Sequence, residues 1–173
     1  MLIRLASIGD AAGIAKVHVD TWRTAYPGIM SQDYLDNLSY ETHTQRWITW
    51  LSNPLMYVYV AEDEPRQLVG FVSGGPGRDD DSAYQAELYS IYILKVHQGQ
   101  GIGRSLTRAL VERLLQEGMT SMLLWTLPTG PASRFYETLG GKQVKTMKAT
   151  LGGAEIDEVA YGWTDIRTLL KES

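Results

Sequence analysis

The chain has 173 residues, 44% of them hydrophobic and 21% charged, with a formal net charge of −4 at pH 7. That length supports one domain, residues 1–173, with a real core, and that mixture is ordinary for a globular protein. The absence of cysteine excludes disulfides, thiolate metal sites and a cysteine nucleophile, while the acidic balance argues against a general nucleic-acid binder, which would present a basic face.

The chain opens with a short edge strand at Ile3–Leu5, and the stretch Met1 to Ser7 lacks the long apolar run of a signal peptide. No apolar segment of membrane-spanning length follows, so a cytoplasmic protein with no membrane partner is the expectation. Ser7 and Asp10 mark a helix start, and Ile8, Ala11, Ala15, Val19, Trp22 and Tyr26 recur at helical spacing until Pro27-Gly28 stops them. Two short helices are predicted at Ser31–Leu38 and Ser39–Leu51, then strands at Met56–Ala61 and Gln67–Ser73. A loop, Gly74 to Asp81, leads into a strand rich in β-branched and aromatic residues over 86–94. After it come Gln98-Gly99-Gln100-Gly101-Ile102-Gly103-Arg104 and a helix whose apolar face runs Ile102, Leu106, Leu110, Leu114, with Gly118 placed to cap its end. Met122–Thr126 reads as a buried strand, Pro131–Leu139 as a short helix with proline in its first turn, and Gln143–Leu151 and Ala154–Trp163 as strands joined by the hairpin signal Gly152-Gly153. A terminal helical turn is predicted at Asp165–Leu170. The order β-ααα-ββ-β-α-β-α-ββ is a mixed α/β (α+β) layer architecture.

The glycine turn leaves amide N–H groups uncovered where a helix begins, an arrangement that suits a phosphate or pyrophosphate. A dinucleotide fingerprint would need glycine at 104, where Arg104 stands, and a P-loop would need a Gly-Lys-Ser/Thr sequence that the chain lacks. Gln98-x-x-Gly101-x-Gly103 after an apolar strand instead resembles the acyl-CoA signature of the GNAT superfamily of N-acetyltransferases. The preceding strand with Glu87, the segment Pro131 to Gly140 and the opening Ile3-Arg4-x-Ala6…Asp10-Ala11 extend that resemblance over nearly the whole chain.

The resemblance implies a splayed central sheet of about seven strands flanked by helices, with acetyl-CoA as co-substrate in the gap between strands 86–94 and 121–126. Main-chain groups at Ile91 and Ile93 would pair with the pantetheine arm, and Gln98, Gly99, Gln100, Gly101, Ile102, Gly103 and Arg104 would hold the diphosphate, with Arg104 or Arg108 adding charge. Glu87, eleven residues before Gln98, would be the general base for a protonated amine, unless it is only a strand-end glutamate reaching solvent. In a regular strand Glu87, Tyr89, Ile91 and Ile93 share one face, a register that a bulge would shift. Tyr136 would meet the cofactor sulfur and act as the acid. Relatives often read Asn-Pro-Ala where this chain has Gly130-Pro131-Ala132, which removes one side-chain contact to the cofactor arm.

Trp22 and Tyr26 either wall the acceptor site or complete the core stripe of their helix. His18 reads as a helix-surface residue, Trp47 and Trp50 as core or rim, and Asp79-Asp80-Asp81 as a solvated turn or an attractor for a cationic acceptor. His18, His43 and His97 have no metal-ligand spacing, so no metal is expected. The function implied is transfer of an acetyl group to a primary amine of a small molecule in a ternary complex. A protein lysine or N-terminal amine is the alternative acceptor, and a CoA-binding sensor without chemistry is the alternative of another class. The final hairpin, 143–163, is the candidate surface for a homodimer.

Overall fold

The computed structural model describes residues 1–79 and 83–171. Four strands, β1 (Leu2–Leu5), β2 (Tyr57–Glu62), β3 (Leu68–Pro76) and β4 (Ala86–Ile93), form one wing of a sheet; β5 (Met122–Thr126), β6 (Lys142–Leu151) and β7 (Ala154–Trp163) form the other. The seven strands run in the order β1-β2-β3-β4-β5-β7-β6, antiparallel except for β4 beside β5. Helices α1 (Ala11–Ala25), α2 (Gln32–Asp36) and α3 (Tyr40–Leu51) precede β2, α4 (Ile102–Gln116) connects β4 to β5, and α5 (Pro131–Thr138) follows β5. No helix among the described residues is long and apolar enough to cross a membrane.

Two apolar clusters explain the layers. On one face Leu106, Leu110 and Leu114 of α4 pack with Val72, Leu88, Met122, Leu124 and Tyr161 of the sheet. On the other, Ile14 and Val17 of α1 and Trp47 of α3 meet Val58, Val60 and Phe71. The alternation of strand side chains sends successive residues of β2 and β3 to opposite clusters, so the first wing is sandwiched between helices. The opening motif has a structural meaning. Arg4 donates to both carboxylate oxygens of Asp10 at 2.9 Å and to Glu62 at 2.8 Å, tying β1 to the start of α1 and to β2. That guanidinium holds the Asp10 carboxyl at about 2.

The helix predicted from Ser7 begins as a 3₁₀ turn over Ile8–Asp10 before α1, and Ser31 and Ser39 stand outside α2 and α3 as caps, accepting from the N–H groups of Tyr34 and Thr42. The sheet parts in the middle for two reasons. β4 and β5 pair only at Ala86↔Met122, Glu87↔Leu123 and Leu88↔Leu124. Between Ser73↔Ser90 and Gly74↔Leu88 the β3–β4 register shifts, which leaves Tyr89 as an extra residue on β4. Such a bulge bends and twists its strand, and here it turns β4 away from β5, opening a wedge along residues 89–93.

Candidate active site

The bulge decides which way Glu87 points. Leu88, Ile91 and Ile93 lie against the α4 cluster, whereas Glu87 is 3% exposed and lines a cavity on the α1 side. The regular-strand expectation that Glu87 shares a face with Ile91 and Ile93 is therefore wrong. One inserted residue swaps the faces of everything beyond it.

The cavity has a volume of about 180 Å³. Trp22 and Tyr26 from the end of α1 form one wall, Tyr89 and Tyr92 of β4 and Trp125 of β5 the floor, and Met147, Leu151 and Glu158 of the β6–β7 hairpin the far side. Trp22 and Tyr26 pack on Met30 and Leu35 beneath and line the cavity above. Arg78 closes the open end. Its Nη2 donates to Glu87 Oε1 at 2.6 Å, its Nε and main-chain N–H each donate to Oε2 at 3.2 Å, and its guanidinium lies 4.6 Å from the Tyr89 ring centre. Glu87 is thus a buried, ion-paired carboxylate, not a strand-end residue reaching water. Asp79 is exposed outside this site, and Asp80 and Asp81 lie outside the described residues.

Tyr136 does not line the cavity. It is 6% exposed on α5, packed on Phe135 and Tyr161, with its phenol in the field of Tyr26 and Tyr92. Burial pushes it well above the usual phenol range, with the Tyr26 phenol adding to the shift, so its hydroxyl stays protonated. Ahead of it, Gly130 sits at φ 115°, where side chains are rarely found, and the space a Cβ would enter is open. The missing asparagine is thus coupled to a backbone conformation that only glycine adopts without strain.

His18 corrects the surface expectation: it is 8% exposed, stacked on Tyr92 at 5.2 Å, and its Nδ1 accepts from Trp47 Nε1 at 3.2 Å. That bond places the proton of the neutral ring on Nε2. Burial, with His43 and Arg46 nearby, lowers its pKa to about 3. The unfolded chain binds this proton near pH 6.5 and the folded chain does not, so stability is complete above 6.5 and is lost as pH falls from there toward 3. Between pH 7.5 and 5.0 this single group costs about 2 kcal/mol, or a fall of about 4–8 °C in Tm for a chain of this size. Thermal unfolding of His18→Gln, which keeps an acceptor for Trp47, should lack that part of the acid sensitivity; an equal fall in both proteins would reassign it.

At the other end of the wedge, His97 N–H and Gln98 N–H are used within the chain, bonding to Leu94 and Lys95 carbonyls. No main-chain carbonyl among the described residues accepts from the N–H groups of Gly99, Gly101, Ile102 or Gly103. Gly101 caps α4 in the left-handed conformation, φ 81°, with nothing within 4 Å of its Cβ position. The Gln98 side chain donates to the Ile93 carbonyl at 3.0 Å, bracing the turn against β4. Exposed donors at a helix N-terminus, followed by an open strand edge leading to a cavity, fit the diphosphate and pantetheine of coenzyme A.

Residues 16–140 match the family model described as the Acetyltransferase (GNAT) family. The chain is 40% identical over 167 residues to the uncharacterized N-acetyltransferase YuaI of Bacillus subtilis, covering 96% of this chain and 95% of that one. Its fold is similar to that of a ribosomal-protein-alanine N-acetyltransferase from Brucella melitensis, with a TM-score of 0.72 and 24% identity over 94% of this chain and 99% of that one. It is also similar to the PaiA N-acetyltransferase of Thermoplasma acidophilum, solved in complex with coenzyme A, with a TM-score of 0.67 and 20% identity over 92% and 98%. The chain belongs to the GNAT family. It is an acyltransferase of the N-acetyltransferase kind, with acetyl-CoA as its co-substrate.

Arg78, Tyr92, Trp125, Met147, Leu151 and Glu158 line the site without having been singled out in the sequence. Glu158 carried a usable signal. It stands between Ile156 and Ala160 on one face of β7, a carboxylate within an apolar alternation, as Glu87 is within β4.

Proposed function

We propose that the protein acetylates a primary amine of a small molecule by direct attack in a ternary complex, with Glu87 as base and Tyr136 as acid. The observation that carries this is the small aromatic cavity holding a buried carboxylate at the head of the β4 edge. A cavity near 150 Å³ holds one benzene, so about 180 Å³ receives an alkylamine or aralkylamine head.

Acetyl-CoA supplies an acetyl group activated as a thioester. The N–H groups of Gly99, Gly101, Ile102 and Gly103 would hold its diphosphate, and the open edge of β4 near Ile91 its pantetheine arm. Trp22, Tyr26 and Tyr92 orient the amine and exclude water. An ionised carboxylate offers about four lone-pair sites. Arg78 fills one on Oε1 and two on Oε2, so Oε1 of Glu87 keeps one site for the ammonium proton. Direct attack is favoured because the chain has no cysteine to carry an acyl group.

A panel of amines, amino acids, aminoglycosides and lysine peptides, read by CoA thiol release, tests the acceptor class. Small amines should turn over with intersecting initial-velocity lines; turnover of peptides alone, or parallel lines, would overturn the reading. With the best amine, Glu87→Gln should lose about 10²-fold in kcat, the usual share of a positioned base. An unchanged kcat would move that role elsewhere.

A further inference from the structure

Of the three charged groups lining the cavity, Arg78, Glu87 and Glu158, only Glu158 lacks a hydrogen bond or ion pair among the described residues. β7 sends Val159, Tyr161 and Trp163 into the α4 cluster and Glu158 to the opposite side, across from Met147 on β6. Its carboxylate makes no hydrogen bond or ion pair with any described residue. The charges that act on it are Arg78 and Glu87, and Arg78 is committed to Glu87 by three hydrogen bonds. Lys145 lies two pairs further along, opposite Ala160, and has an interaction of its own. Counting Glu87, Arg78 and Glu158, the cavity lining carries one uncompensated negative charge.

Apart from Met147 and Leu151, its other walls are ring systems, among them Trp22, Tyr26, Tyr92 and Trp125. Aromatic faces attract cations and do nothing for a carboxylate. The Arg78 guanidinium over Tyr89 shows the same lining already accepting a cation from within the chain. Partial burial, opposed by Arg78 and reinforced by the Glu87 charge, raises the Glu158 carboxyl above its usual range, and a bound ammonium would act against that shift.

We propose that Glu158 determines specificity, holding a cationic amine that bears no carboxylate beside its nitrogen and turning away α-amino acids. This rests on the acetyl-transfer reading of the cavity above. A second carboxylate brought against Glu158 would meet like charge in a confined site, which disfavours its binding. Matched pairs with a single nitrogen isolate that effect: phenethylamine against phenylalanine, and isoamylamine against leucine.

The wild type should favour the decarboxylated member by about 30-fold or more in kcat/KM. Glu158→Gln should raise the amine KM by about 10-fold while changing kcat far less, and should compress the amine-to-amino-acid ratio. Equal use of both members by the wild type, or an unchanged ratio in the variant, would overturn the proposal while leaving acetyl transfer intact. Tryptophan fluorescence, which Trp22 and Trp125 report from the cavity wall, measures binding without turnover. Amine binding that weakens in Glu158→Gln but is never followed by thiol release would keep this proposal and sink the catalytic one. Neither binding nor turnover would sink both.

Discussion

Tyr136→Phe should lower kcat by about 10²–10³-fold with little change in the KM for acetyl-CoA, the loss typical of removing one donor to developing negative charge. The substitution deletes one oxygen from a ring that is already buried against Phe135 and Tyr161, so packing and fold survive. The size of the effect follows from the environment. Burial raises the phenol above its ordinary value, so it is never depleted by ionisation near neutral pH. A leaving thiol titrates near ~8.5, well below such a phenol, so the hydroxyl acts chiefly by donating a hydrogen bond to the departing sulfur as charge builds there. The low-dielectric surroundings that raise its pKa also strengthen that bond. A steady-state comparison of the two proteins at saturating amine decides it, and a kcat within threefold of wild type would remove Tyr136 from the chemistry.

Gly101→Val should raise the KM for acetyl-CoA by about 10³-fold and leave the folded protein intact. Two penalties combine. A β-branched residue at φ 81° is strained by roughly 1–2 kcal/mol, which α4 withstands through its buried face of Leu106, Leu110 and Leu114. The larger loss is at the ligand: hydrogen bonds to a charged group are worth about 1.5–3 kcal/mol each, and displacing two of them accounts for the thousandfold. Gly118 provides the control. It stands at the other end of the same helix at φ 82°, also with nothing within 4 Å of its Cβ position. Gly118→Val should therefore lower Tm as Gly101→Val does, yet leave the acetyl-CoA KM alone. Equal KM values in the two variants would show that the α4 turn does not bind the diphosphate.

The two ends of the site were unequally legible in the sequence. The glycine turn is local: three glycines, a helix period and a preceding strand lie within one short stretch, and main-chain donors need no distant partner. The cavity draws on α1, β4, β5 and the β6–β7 hairpin, so no window of sequence contains it. Glu87 was found by its spacing from Gln98, but its orientation was misjudged because the extra residue, Tyr89, is defined only by pairing with β3. His18 was taken for a surface residue because a polar side chain at the edge of a helical stripe gives no sign of a ring stacked on it; Tyr92 lies seventy-four positions away. Glu158 has the same alternation signature as Glu87 and lacked only a neighbouring motif.

By itself the sequence determined the order of elements, the mixed α/β layering and the uncovered amides at the start of α4. These follow from periodicity, caps and glycine content, properties of residues close together in the chain. The tertiary structure alone decided where along β4 the sheet parts, which face Glu87 takes, and that Arg78 pairs with Glu87 and not with Glu158. Those outcomes depend on strand register and on charges brought together from distant segments, and neither exists until the chain has folded.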